Sequence, residues 1–411
     1  MIETPGNPIS PKVHRSLYNY AVKKFLADNV EEFNYVHNSD DDELVYSHLL
    51  DGYIEDGTLE DIKVEKFLIE QINYGRMRNM YVSFLSDVSH LVDENVIRGK
   101  LHNLKQKGYD NANLIKGFPF VKNIRGGLDR GKKEVIYSDI KKNNDAIVSV
   151  KFVIAIGTLI DGVEVNNYIA AEINLELKML ILKIRNWEPK DSNYSVEKIF
   201  EEIHHKVLDA FDLIILKKDI KMSKLIYSMV KDLSNKVLEK PMNFVNEKIE
   251  KLVENNVSKW CNAILDDDIT QTDLSLLKTN ILNSYYKFYM NYSEQQLGID
   301  EYQEKLSVDG YPRYVKFKDE TISEARAKSP SPHTSLVSAN VFYDVKASLD
   351  HAEELNMATV YWLKNKNPKT FGVSYHTDYD HICKLNILPN YFDEEICDYV
   401  LRKIKQYMQT S

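Results

Sequence analysis

The chain has 411 residues and a formal net charge of −9, with 43% apolar and 28% charged residues. It is too apolar to be disordered throughout, and long enough that two or three folded domains are expected rather than one core. The acidic balance argues against indiscriminate nucleic-acid binding, and no apolar run approaches the roughly 18 residues that a bilayer requires, so no membrane association is expected.

The opening residues Met1-Ile2-Glu3-Thr4-Pro5 lack the pattern of a secretory signal. The three cysteines, Cys261, Cys383 and Cys397, form neither a CxxC pair nor a zinc spacing. Both features suit a reducing, cytoplasmic setting. Charge is segregated along the chain: twelve acidic residues and no Lys or Arg lie between Leu26 and Ile62, and nine Lys or Arg face only Asp110 and Asp129 between Lys100 and Lys133.

In chain order, apolar residues at three- and four-residue spacing (Leu17, Val22, Phe25, then Phe67, Ile69, Ile72, Met77) predict helices through roughly the first 110 residues. Breaks are expected at Asn38-Ser39-Asp40 and Asp56-Gly57-Thr58. The pattern stops at Gly117-Phe118-Pro119, and a glycine-rich basic loop runs from Arg125 to Lys133. Ala146 to Ile156 and Tyr168 to Leu177 read as strands on either side of the turn Asp161-Gly162, with more strand at Met179 to Ile184. Ile173, Leu175 and Leu177 alternate with Glu172, Asn174 and Glu176, which predicts an antiparallel sheet with one face in water. The stripe Val196, Ile199, Phe200, Ile203, Val207, Phe211 predicts a helix over the other face, capped by Asn193 or Ser195.

Helical spacing returns at Met222, Leu225, Ile226, Met229, Leu233 and Val237, with a break expected at Pro241. Ile249, Val253, Val257, Trp260, Ile264 and then Leu274, Leu277, Ile281, Tyr285, Phe288 predict a helical hairpin. Beyond a loop at Ser329-Pro330-Ser331-Pro332-His333, strands are expected at 337–345, 358–363, 371–376 and 382–387. A last helix carries Ile396, Tyr399, Val400, Ile404 and Tyr407, with Asn390 as its cap. The fold class is therefore α+β: an N-terminal helical domain (1–115), a β-meander plus helix (116–215), a helical segment (216–305) and a C-terminal α+β domain (306–411). It comprises two antiparallel β-meander-plus-helix units separated by a helical segment.

Three chemistries are compatible with this pattern. Lys116, Lys122, Arg125, Arg130, Lys132 and Lys133, interleaved with Tyr109, Phe118, Phe120 and Tyr137, suit a nucleic acid, because cations release counterions from phosphates and aromatic rings stack on bases. The bland reading of the same stretch is a solvated loop, or one docked on the acidic N-terminal block. Asp161, Glu176 and Lys178 stand in the order of a metal-dependent nuclease centre that would use Mg or Mn, and Glu176-Leu177-Lys178 resembles the carboxylate-x-lysine element of restriction-like endonucleases over about twenty residues. Glu172-Ile173-Asn174 is better placed in the strand but has Asn174 in the lysine position, and Glu176 and Lys178 serve equally as outward-facing strand charges. His376, Asp378, Asp380 and His381 crowd a turn from which their side chains would splay apart, and His204 and His205 point about 100° apart on a helix. GxSxG, Walker A and strand-linked GxGxxG sequences are absent. The expected function is accordingly non-enzymatic: an intracellular nucleic-acid-binding or adaptor protein with a protein partner and no cofactor, of the kind found in bacterial defence or DNA-maintenance complexes, with a pure protein scaffold as a further reading.

Overall fold

The computed structural model describes residues 8–31, 33, 45–75, 78–110, 117–160, 162–186, 195–217, 221–264, 270–297, 308–318, 324–329, 331, 334–363, 370–388 and 393–410. The chain divides into two compact units, Met1–Lys218 with Pro389–Lys405, and Asp219–Leu388 with Gln406–Ser411. Both mix helices with antiparallel sheet, in keeping with an α+β class.

The first unit starts with α1 (Pro11–His14), α2 (Asn19–Asn29), α3 (Val45–Glu55) and α4 (Asp61–Tyr74). The helical expectation for the first 110 residues then fails at β1 (Arg78–Phe84), all seven residues of which are buried. A strand covered on both sides carries no alternation for a period-two reading to find. After α5 (Glu94–Gln106) come β2 (Phe120–Val121), β3 (Lys133–Asn143), β4 (Ala146–Ile160), β5 (Val163–Asn174), β6 (Met179–Arg185) and α6 (Val196–Phe211). The strands pair antiparallel in the order β2-β3-β4-β5-β6-β1. Asn144 and Asp145, both at positive φ, make the two-residue turn between β3 and β4; Asn and Asp tolerate that region better than other side-chain-bearing residues.

One face of this sheet is apolar and lies against α6, as expected. Tyr81 stacks on Phe200 at 3.8 Å between ring centroids and Phe152 on Phe211 at 5.5 Å, while Ser195 caps the helix by accepting the Lys198 N–H. Asn193, the other expected cap, lies outside the described residues, as do Asn38-Ser39-Asp40 and Asn390. On the opposite face, Val153, Ala155, Tyr168 and Ala170 join Val22, Leu26, Leu50, Val64 and Phe67 of the N-terminal helices in one core.

The second unit begins with α7 (Met222–Val245), which runs through Pro241 instead of stopping there. Pro241 is buried inside the helix, and the irregularity comes afterwards, as a π-helical turn at Asn246–Glu250 before α8 (Lys251–Ile264). α8 and α9 (Gln271–Leu297) form the expected hairpin around Val245, Val253, Val257, Cys261, Leu282 and Tyr286. The inward stripe of α9 is displaced from its predicted position: Leu282, Tyr286 and Met290 are buried, whereas Tyr285 and Phe288 are exposed. A helix apolar on more than one side does not reveal by spacing which side is covered.

β7 (Gly310–Phe317) and β8 (Ala325–Lys328) have no counterpart among the expected strands; Pro312 argues against a strand, and it is accommodated where the β7–β9 register shifts between Pro312 and Tyr314. The strand expected at 337–345 is instead a 3-10 turn, Leu336–Ser338, followed by α10 (Asn340–Ala352). Val337, Val341 and Val345 favour a strand by type, but Val337 is buried in the 3-10 turn, and within the helix Phe342 and Leu349, seven residues apart and so on one helical face, are buried while Val341 and Val345 are only partly covered. β9 (Met357–Trp362), β10 (Phe371–His376) and β11 (Ile382–Ile387) complete a sheet ordered β11-β10-β9-β7-β8, and α11 (Glu394–Thr410) closes the chain. All three cysteines are buried free thiols, and burial pushes Cys383 up to about 12. Among the described residues no helix is long and apolar enough to cross a membrane.

The core of the first unit contains a titratable group that sets a pH limit. His204 on α6 is buried and hydrogen-bonds Ser83 of β1 at 2.8 Å, and burial, reinforced by His205, lowers its pKa to about 4. A proton that the unfolded chain takes up near pH 6.5 is refused by the folded one until about pH 4, so stability present above pH 6.5 is lost as pH falls towards 4. Urea titrations across this window are expected to show a loss of about 3 kcal/mol attributable to this residue. His204→Gln should flatten the slope between pH 6.5 and 4.

Candidate functional site: a charged cleft in the first unit

The face of β5 expected to lie in water is covered. Glu172 and Asn174 are both buried, and the first part of α11, through Lys405, belongs to the same unit. A carboxylate leaves water at little cost only when it finds a cation or donors, and the strand register supplies them. Lys141, Ser149 and Asn174 lie opposite one another across β3, β4 and β5, and in the adjacent row Asp139, Lys151 and Glu172 do the same. The β3–β4 register shifts between Lys141 and Lys142. Such a bulge re-aims side chains, and consecutive residues that would ordinarily point to opposite faces both line one cleft here.

α11 contributes Glu394, Asp398 and Arg402, one turn apart on a single helix face. Lys151 donates to Glu394 at 2.6 Å and Lys141 to the same oxygen at 3.1 Å. Arg402 grips Glu176 through two bonds, 2.7 and 3.1 Å, and Lys142 pairs with Glu94 at 2.8 Å. Glu394, Asp398, Arg402, Glu176, Lys141 and Lys142, with Asn143, Val148, Ser149, Glu172 and Asn174, line an open cleft of about 370 Å³, in the range that takes a small molecule.

The electrostatics follow from crowding. Burial works to lower the Lys151 ammonium, but Glu172 and Glu394 beside it raise it above its ordinary value. Burial works to raise the Glu394 carboxyl, and Lys151 and Lys141 overcome it and hold the carboxyl low. Asp398 has no such escort: burial, then Glu172 and Glu394, raise its pKa, with Lys141 and Lys151 opposing more weakly. One row further in, Lys183 of β6 is fully buried, its ammonium 4.4 Å from the centre of the Tyr74 ring. Burial pushes the neighbouring Cys397 thiol up to about 11, with Lys183 working against it.

The residues singled out from sequence are placed otherwise. Lys116 and Asp161 lie outside the described residues. Glu176 and Lys178 sit in the turn after β5, Glu176 committed to Arg402 and Lys178 at positive φ. Ile160 and Val163, which flank Asp161, pair at the other end of β5, about eleven residues or roughly 35 Å away. The carboxylates gathered in the cleft are Glu172, Glu394 and Asp398 together with Glu176, and the cation facing Glu172 is Lys151 on the neighbouring strand. Among the described residues no three His, Cys, Asp or Glu side chains are grouped to hold a metal ion. His205 is exposed beside Asp209, and burial together with Lys384 lowers the pKa of His376.

The basic loop is largely engaged within the fold. Arg125 pairs with Asp61 at 2.8 Å, at the start of α4, so the loop does dock on the acidic N-terminal block; Lys132 pairs with Asp129 at 3.0 Å, and Lys133 with Glu202. The loop is seated on β4 at Gly157, which exchanges backbone bonds with Gly131 and Lys132. A Cβ at Gly157 would stand 2.1 Å from the Asp129 carbonyl oxygen, so only glycine permits this approach. Lys122, Arg130 and Lys132 remain exposed.

Comparison with known proteins finds no matching protein-family model and no matching curated protein. The cleft thus rests on its own geometry, and Lys151 holds that geometry together. Lys151→Met leaves Glu172 and Glu394 facing each other without it, and a loss of roughly 2–3 kcal/mol is expected in urea denaturation, below the full cost of breaking a buried pair because Glu394 is 43% exposed. Adding Glu394→Gln to that variant should restore more than half of the loss.

Proposed function

We propose that the first unit is a binding module for a small polar molecule held in the cleft between β3, β4, β5 and α11. The observation that carries this reading is the concentration of charged and polar side chains, several of them buried, around a cavity of about 370 Å³. Burying charge is costly, and a polar interior that opens on a cavity is where a fold keeps groups for a ligand. Asn143 stands exposed on the cleft lining, so Asn143→Trp obstructs the cavity without touching the core. A thermal-shift screen of amines, polyols, nucleosides and phosphates on the full chain supplies the test. A ligand at a hundredfold excess over its Kd stabilises the wild type by about 2.7 kcal/mol, and the Asn143→Trp variant should lose that gain. Ligands that stabilise both proteins equally would place binding elsewhere.

A second reading, nucleic-acid binding by the basic loop, is favoured by the exposure of Lys122, Arg130 and Lys132 on a backbone pinned at Gly157. Exposed ion pairs such as Lys132 with Asp129 contribute little and can be exchanged for phosphate. Charge reversal at Lys122, Arg130 and Lys132 should then weaken binding to labelled DNA or RNA. It should also flatten the logarithmic dependence of affinity on salt, by about one unit of slope for each phosphate that is no longer neutralised. Unchanged binding and slope would remove this reading.

A further inference from the structure

We infer that the molecule held in the cleft presents a protonated amine, received by the carboxylates of Glu172 and Asp398 and the hydroxyl of Ser149. This inference rests on the cleft being a binding site and adds the chemical class of the ligand.

The inference follows from which groups in the cleft are already engaged. Every cationic side chain lining it has an acidic partner: Lys141 with Glu394, Lys142 with Glu94, and Arg402 with Glu176. Lys151, behind them, also pairs with Glu394. A ligand anion would have to break one of these pairs and then sit beside two further carboxylates. The spare capacity is on the acceptor side. Glu172 accepts only the Asn174 amide, at 3.3 Å, and Asp398 makes no hydrogen bond among the described residues. A carboxylate has room for about four donors, so both oxygens of Asp398 and much of Glu172 stand ready to accept.

Ser149 gives an independent indication. It lines the cleft, is 2% exposed, and its Oγ has no hydrogen-bond partner among the described residues. A buried hydroxyl without a partner costs free energy that a donor arriving in the cleft would recover. An ammonium group carries three donors on one tetrahedral nitrogen, which matches two carboxylates and a hydroxyl. It also supplies positive charge where Glu172, Glu394 and Asp398 crowd around Lys141 and Lys151. A neutral polyol could satisfy the hydrogen bonds but would leave that repulsion in place.

The experiment is isothermal titration of the full chain at about pH 7.5 with ethanolamine and putrescine as amine probes, acetate and inorganic phosphate as anions, and ethylene glycol as the neutral control; both amines are protonated there, as a lysine ammonium is. The expected result is saturable binding of an amine. Asp398→Asn, near-isosteric and only partly buried, should weaken it about tenfold or more, as befits loss of a charge-assisted hydrogen bond. Ser149→Ala should weaken it less, and Lys63→Ala, in an exposed ion pair with Glu60 away from the cleft, should leave it within about twofold. Urea midpoints for each variant separate lost binding from lost folding, and Glu172→Gln provides a second carboxylate variant if Asp398→Asn proves unstable. Phosphate binding that Arg402→Ala or Lys142→Ala abolishes, with no amine binding, would overturn the amine class while leaving the cleft as a site. Amine binding unaffected by Asp398→Asn, Glu172→Gln and Asn143→Trp alike would overturn both the class and the cleft.

Discussion

The first unit depends on putting a charged sheet face out of water. Lys151 and Glu172 stand opposite each other in neighbouring strands, and Glu394 reaches Lys151 from α11. A helix can cover that face only if its charges are matched as it is covered, so the pairs of Lys151 and Lys141 with Glu394 and the grip of Arg402 on Glu176 are conditions for seating α11. The apolar residues of the helix, Cys397, Val400, Leu401 and Ile404, supply non-directional burial, and the charged ones set where along the sheet it sits. One carboxylate more than this matching requires, Asp398, is what gives the cleft its acidic character.

Much of the fold is legible in the sequence, for reasons that differ by element. α6 has one strong apolar stripe, a serine cap and a single face to cover, so spacing places it well. The β4–β6 part of the meander is readable from β-branched runs interrupted by turn residues, whereas β3, which has no counterpart among the expected strands, is not. β1 and the segment at 337–345 are not, because burial on both faces removes alternation and because a residue's preference for strand yields to packing. Pro241 and Pro312 show the same limit: one lies inside a helix and the other at a strand irregularity, so neither marks a boundary.

The site is less legible than the fold. Glu172 and Asn174 read as outward-facing because polar alternation normally means water, and only the distant Glu394, Asp398 and Arg402 reverse that. Their four-residue spacing is present in the sequence, but such triads decorate many solvated helices. The register shift opposite Lys141 and Lys142, which leaves Val148 of β4 as the extra residue, has no sequence signature at all. In the basic loop the sequence leaves open a surface run of cations or a docked loop, and only the fold shows Asp61, Asp129 and Glu202 meeting Arg125, Lys132 and Lys133.

The three cysteines are each buried in a different piece of structure: Cys397 where α11 meets the first sheet, Cys261 in the helical hairpin, and Cys383 on β11. A thiol reagent reaches such a group only when its surroundings open, so the rate of reaction reports the opening free energy of that piece alone. The native chain thereby contains separate clocks for α11, the hairpin and the second sheet, without any introduced label.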